Sequence, residues 1–317
     1  MPKKRRKFAD DGWAIWVDGE DVSTVYINDW LNPKGKSFVD FAVRIRGIKA
    51  SKALNVYVPF FVAREEIEDV SLMFKDKNIL QATFSASCII EFKKNEHTSE
   101  IAYNAKTVDI IHISSFDFDI KTLSEGTLIR IDLEKLHPYI DNDEGYFIWR
   151  MPHKSLDEIF SPRQDVGSVM GRLKELITTP IIAEKYGYSI RINEARLLPD
   201  EITKIGAFRR QKLKKSVITI SVNEDYELND GNCYRIRRLE EKLYKEFLPK
   251  GYKSKDTITY QWQQNRDHNL KGHFNFYYNI LKNSVSRVSM LVYLLLITAL
   301  GVVGNLIADV VAQLIGL

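Results

Sequence analysis

Cysteine is nearly absent: the 317 residues hold only Cys88 and Cys233. No CxxC pair occurs, which excludes a zinc knuckle, a thioredoxin-type redox motif and a disulfide-built exterior. Cys88 lies in the apolar run FSASCIIEF and reads as a small buried hydrophobe. Histidine is scarce as well, at positions 97, 112, 137, 153, 268 and 273. None of these forms HExxH or HxH, and the spacing of His268 and His273 suits no helical ligand pair, so no metal site is expected. A GxSxG elbow and a Walker-type phosphate loop are both missing. Asp117 and Asp119 in FDFDI look like a carboxylate pair. On a strand, however, period two buries Phe116 and Phe118 and leaves the aspartates in water. No catalytic residue and no cofactor are therefore assigned. No Gly/Ser or Pro linker and no internal repeat divides the chain. The net charge of +4 is too slight to name a partner.

Charge is missing most conspicuously near the C-terminus. From Val288 to Ala308 there are 21 positions without a charged residue. A bilayer core needs about 20 residues at a helical rise of roughly 1.5 Å. A core helix of a soluble domain would need protein on every side, and this segment ends the chain. Lys271, Lys282 and Arg287 precede it, and no Lys or Arg follows. That asymmetry predicts a single-pass membrane protein with its N-terminal part in the cytoplasm. At the other end, MPKKRRKF carries five consecutive basic residues, Lys3 to Lys7. Residues 1–11 read as a disordered basic leader, with at most an auxiliary contact to anionic lipid or nucleic acid.

Between these ends the pattern predicts an α+β protein. Residues 12–161 read as a β-rich domain, sandwich or barrel-like, with strands such as WAIWV, TVYIN, FVDFAVRIRG, ATFSASCIIEF and TLIRIDL. In FAVRIRG, Phe41, Val43 and Ile45 fall on one face and Arg44 and Arg46 on the other. Residues 162–287 read as a mixed α+β ligand-sensing region. Helical spacing is expected over 166–187 and in YRIRRLEEKLYKEFL (234–248), with strands at 188–199, 216–222 and 257–263. The transmembrane helix takes 288–317.

One soluble segment carries a chemical signal. KIGAFRRQKLKK supplies Lys204, Arg209, Arg210, Lys212, Lys214 and Lys215 with no acidic residue. Arg235, Arg237 and Arg238 cluster a short gap later, with Phe208 and Tyr234 beside the two groups. Cations neutralise phosphates and ring faces accept stacked bases, the needs of a single-stranded nucleic acid. A solvated basic loop and a patch lying on anionic lipid are the alternatives.

The apolar helix also carries more than an anchor requires. Asn305, Asp309 and Gln313 recur every four residues, in one row with Gly301 and Thr298. Gly304, Ala308, Ala312 and Gly316 form a row of small residues on the neighbouring face. Polar groups inside a membrane usually face a bundle interior or a water path. Several copies around an axis could pack the small row against neighbours and turn the polar row inward. A tail anchor with Asp309 and Gln313 in the far headgroups is the alternative.

A β-rich cytoplasmic sensor, a basic patch suited to an oligonucleotide and a polar-striped C-terminal helix resemble bacterial anti-phage membrane effectors controlled by nucleotide signals. The layout is most similar to the pore-forming effectors of the Hailong system, over the whole chain and by architecture. The resemblance implies a homo-oligomeric pore, with a tetramer favoured. It also implies an oligonucleotide or nucleotide signal that holds the pore shut, a nucleotidyltransferase partner that makes it, and abortive infection when the signal is lost. A tail-anchored adaptor or enzyme that uses the helix only as an anchor is the competing reading.

Overall fold

Period-two alternation builds most of this molecule. The computed structural model describes residues 9–32, 36–84, 89–92, 97–103, 106–153, 182–229, 233–240, 244–249, 252–265, 274–284 and 287–315. In chain order the strands begin with β1 (Ala9–Asp18), β2 (Val22–Leu31), β3 (Ser37–Arg46), β4 (Ala53–Val58) and β5 (Ile89–Phe92). Next come β6 (Thr98–Tyr103), β7 (Lys106–Ile111), β8 (Phe118–Thr122), β9 (Thr127–Asp132) and β10 (Glu144–His153). The rest are β11 (Ile182–Ile192), β12 (Lys215–Asn223), β13 (Tyr226–Asn229), β14 (Arg235–Arg238), β15 (Thr257–Asn265) and β16 (Phe274–Ser284). Among the described residues three α-helices accompany them: α1 (Lys77–Phe84), α2 (Asp200–Ile205) and the long α3 (Arg287–Ile315).

The strands form a seven-stranded sheet, β13-β16-β11-β1-β4-β9-β8, and a nine-stranded sheet, β14-β15-β12-β2-β3-β10-β7-β6-β5. Both are mixed, because β1 pairs with β11 and β2 pairs with β12 in parallel. Strands from either side of residue 162 thus share both sheets. One hydrophobic core draws on both sheets: Trp13 and Ile15 from β1, Val25 and Ile27 from β2, Phe41 from β3, Ile218 and Ile220 from β12, Phe276 and Tyr278 from β16. Fully burying each such aliphatic or aromatic side chain stabilises by roughly 1.5–3 kcal/mol. The expected facing of β3 is present, with Phe41, Val43 and Ile45 buried and Arg44 and Arg46 on the other side.

Each sheet's outer face is partly covered. On the nine-stranded sheet, Phe74, Ile79, Leu80, Leu239, Tyr244 and Phe247 close over Trp30, Tyr146 and Ile148. On the seven-stranded sheet, Leu198, Ile202 and Phe208 lie over Ala14, Trp16 and Tyr57. Gly12 makes that second cover possible, since a Cβ there would stand 2.5 Å from the Leu197 carbonyl oxygen.

Three expected elements differ from the structure. The strand expected over 82–92 begins only at Ile89, because residues 82–84 finish α1; Cys88 lies outside the described residues. Of the helical stretch expected over 166–187, residues 166–181 lie outside the described residues, and 182–187 belong to β11. Of the amphipathic helix expected at 234–248, Arg235–Arg238 is instead strand β14 on the edge of β15, residues 241–243 lie outside the described residues, and Tyr244 is helical. The free edge of β15 supplies hydrogen bonds that local propensity did not foresee. Leu239 and Phe247 still bury, as the helical spacing required.

Candidate functional site

The basic segment is a strap held by its non-basic residues. Gly206 ends α2 in the left-handed region, at φ 67°, and turns the chain back over β1. Phe208 and Leu213 are 0 % exposed. Gln211 is buried between them, where its Oε1 accepts from the Val17 N–H at 2.6 Å and its Nε2 donates to Asp21 Oδ1 at 3.2 Å. Asp21 Oδ1 also accepts from the Lys212 N–H at 3.0 Å. The strap is thereby fixed across the β1–β2 turn. Arg209, Arg210, Lys212 and Lys214 are left exposed and Lys215 half-buried at the start of β12. The base-stacking role considered for Phe208 is ruled out, because its ring is buried against Trp16 and Tyr57.

The second basic group is partly committed. The Arg237 Nη2 donates to the Tyr244 hydroxyl at 2.8 Å and its guanidinium sits 5.5 Å from that ring's centre. Arg238 pairs with Glu224 at 3.0 Å. Arg235 is exposed, and so is Tyr234. Strand register decides which cations share a surface. Lys215, Arg235 and Arg237 all lie on the outer face of the nine-stranded sheet, whereas Arg209, Arg210 and Lys212 lie on the strap. Burial, and then the nearby charge of Arg44, push the Lys215 ammonium below its ordinary pKa.

Among the described residues, no protein surface buries the C-terminal helix along its apolar length. Tyr293–Val311 is long and apolar enough to cross a membrane, and none of that stretch is buried. It is the one such helix among the described residues. Asn305, Asp309 and Gln313 are exposed, and the Thr298 hydroxyl donates to the Leu294 carbonyl at 2.9 Å. Nothing stands within 4 Å of where a Cβ would be at Gly301 or Gly304. Ala308 is exposed; the side chain of Ala312, and Gly316, lie outside what the structure describes. The basic leader, Lys3 to Lys7, also lies outside the described residues.

Buried polar clusters are the features that sequence reasoning missed. His112 is held at both ring nitrogens, by Ser71 Oγ on Nδ1 and Ser99 Oγ on Nε2, each at 2.8 Å. Ser71 in turn donates to Asp69, which also accepts from the N–H and hydroxyl of Ser114. This resembles a nucleophile relay, but Ser99 is only 4 % exposed, so its hydroxyl has no approach for a carbonyl substrate. Burial lowers the pKa of His112, as befits a neutral ring stapling the segment after Asp69 to β6. Among the described residues, no group of three or more His, Cys, Asp or Glu side chains could hold a metal ion.

The chain matches no known family model and no curated protein.

Proposed function

We propose that this protein is a membrane-anchored effector whose C-terminal helices assemble into a ligand-gated pore. In this reading the β-sandwich lies in the cytoplasm and binds a phosphate-bearing ligand, an oligonucleotide. The setting suggested by the resemblance is anti-phage abortive infection. One observation carries the reading: an apolar helix with no buried residue over Tyr293–Val311 bears a polar row, Asn305–Asp309–Gln313, beside the small residues Gly304 and Ala308. A plain anchor gains nothing from an ionisable side chain at membrane depth. A ring of several helices does, because one Asp309 carboxylate per subunit favours cations in a shared lumen. The exposed cations from Arg209 to Lys214, with Lys215 and Arg235, support a phosphate-bearing ligand.

The test is ion flux through liposomes alongside growth of cells expressing each variant. Asp309→Asn should keep the channel and weaken its cation preference. Asn305→Leu with Asp309→Leu should dry the lumen and remove both conductance and toxicity. A simple anchor predicts the reverse, since added leucine only strengthens insertion. If the double variant conducts and kills like the parent, the tail-anchored adaptor is the better reading.

A further inference from the structure

The outer face of the nine-stranded sheet divides into a covered half and an open half, and the open half has an unusual composition. Register places its side chains in rungs across four strands. Thr24 of β2 lies opposite Lys215 of β12, which lies opposite Asn265 of β15. Two residues along, Tyr26, Val217 and Gln263 make the next rung. Asn28, Thr219, Gln261 and Arg235 make the third. The fourth, which holds Trp30 and Arg237, is where the cover begins: Phe247 meets Trp30 at a tilt and Tyr252 meets it edge-on, and Tyr244 takes Arg237. Tyr26, Asn28, Lys215, Thr219, Gln261 and Gln263 are all part-exposed, and Arg235 is fully so.

Across β2, β12, β15 and β14 the open rungs hold amides, hydroxyls, cations, Tyr26 and Val217, and no carboxylate; Asp40 of β3 continues the third rung beside Asn28, but it is buried and bound by Arg150. A sheet face that needed only solubility would mix charges of both signs. Arg44 continues the first rung, opposite Thr24, so two cations stand on that rung with one strand between them. Glu144 answers Arg44, at 2.5 Å, and Arg46, at 3.2 Å. Lys215 has no acidic partner among the described residues. The lowered pKa of its half-buried ammonium reports the cost of that arrangement, which an incoming anion would relieve.

We infer that this open face is the surface that holds a single-stranded oligonucleotide, with backbone phosphates at Lys215 and Arg235 and bases over Asn28, Thr219 and Gln261. The inference rests on the reading of the ligand as an oligonucleotide, and it moves the main contact from the strap to the sheet. Amide side chains can pair bidentately with base edges, and hydroxyls can donate or accept. Tyr26 in the second rung and Tyr234, 69 % exposed beside Arg235, offer rings for stacking. Four strands span about 14 Å and three rungs about 13 Å, at the usual strand spacing and rise. That is room for the two or three bases that a four-stranded RNA-binding sheet stacks. The Tyr244–Phe247 cover walls one end, so the strand would run off past Lys215.

The experiment measures binding of fluorescent 12-mer DNA and RNA homopolymers to the full chain in neutral-lipid nanodiscs, across a salt series. Lys215→Gln with Arg235→Gln should weaken binding about tenfold and flatten the slope of log K against log salt by about 1.4, the share of two single-strand phosphate contacts. Lys215→Arg with Arg235→Lys should bind like the parent, which separates lost charge from lost folding. Gln261→Ala should change the ranking among homopolymers and leave the salt slope alone. The strap variant Arg209→Gln, Arg210→Gln, Lys212→Gln should weaken binding by less than the sheet variant does, and equally for every homopolymer, because its cations add to the field around the ligand without fixing its bases. If the strap variant loses binding while the sheet variant keeps it, the sheet assignment is overturned and the oligonucleotide reading survives. If a duplex competes as well as the single strand, the sheet assignment is also overturned. If no 12-mer binds the parent even at low salt, the oligonucleotide reading itself falls and takes this inference with it.

Discussion

Two buried aspartates stand on neighbouring strands of the nine-stranded sheet and face opposite ways. Asp40 points to the outer side and is fully answered. Arg150 donates to it through Nε at 2.6 Å and Nη2 at 3.0 Å, and the Trp30 indole donates at 2.7 Å. The same Arg150 Nη2 donates to the Phe247 carbonyl at 2.7 Å, so the ion pair also fastens the aromatic cover. Asp29 points between the sheets, 1 % exposed, with no hydrogen-bond partner for either oxygen among the described residues. Burial pushes its pKa from an ordinary 3.8 up to about 6; the nearby carboxylates of Asp11 and Asp40 add to the rise and His153 opposes it. The folded value lies above the unfolded one, so Asp29 favours folding only while protonated. That contribution is complete below pH 3.8 and is lost as pH rises through 6. The difference corresponds to about 3 kcal/mol. Asp29→Asn should therefore raise the melting temperature at pH 8, by up to that energy, and change little at pH 4. Asp40→Asn should cost about 3–5 kcal/mol at pH 8, because it leaves Arg150 buried without its counter-charge. Thermal denaturation of the two variants at both pH values checks the pair. A lowered melting temperature for Asp29→Asn at pH 8 would show that Asp29 has a partner the sandwich needs.

Among the elements, α3 and β16 are coupled by very little chain. Strand β16 lies inside the seven-stranded sheet, paired with β11 on one side and β13 on the other. It ends at Ser284, and α3 begins at Arg287. A slack tether would need a longer flexible segment, so strain in the sheet has a short path to the helix. Within α3, open space surrounds the Cβ positions of Gly301 and Gly304, and that space suits the close approach of a neighbouring helix. Gly304→Leu or Ala308→Leu should pry such helices apart and lower oligomer content, while insertion into the membrane is unchanged. Analytical ultracentrifugation in detergent measures the first and alkaline fractionation the second. Unaltered oligomers in both variants would remove the small row from the interface.

At the scale of the whole molecule, the sandwich and α3 are separable. No residue of α3 belongs to any of the described hydrophobic cores. Deleting residues 288–317 should therefore release a soluble protein whose sandwich melts as it does in the full chain. Persistence of the truncated protein in the alkaline-washed membrane fraction would show that something other than α3 binds the bilayer.

The sequence by itself determined a C-terminal helix long and apolar enough to cross a membrane, and most of the strands before residue 150. Each rests on local periodicity: a charge-free run as long as a bilayer is thick, and alternation such as that of Phe41, Val43 and Ile45. Asp29 was also legible in principle, as an acid in the inward phase of Val25, Ile27 and Leu31. The tertiary structure alone decided which basic residues meet. Lys215 and Arg235 are 20 positions apart and share a face only because β12 and β14 both pair with β15. It also decided that RIRR, at the start of the stretch 234–248 expected to be helical, is a strand, since a free sheet edge can outweigh local helical spacing. Phe208 was withdrawn from any ligand for the same kind of reason: burial against Trp16 and Tyr57 comes from a distant sheet. Periodicity is a property of neighbours in the chain, whereas register and burial are properties of partners that only folding brings together.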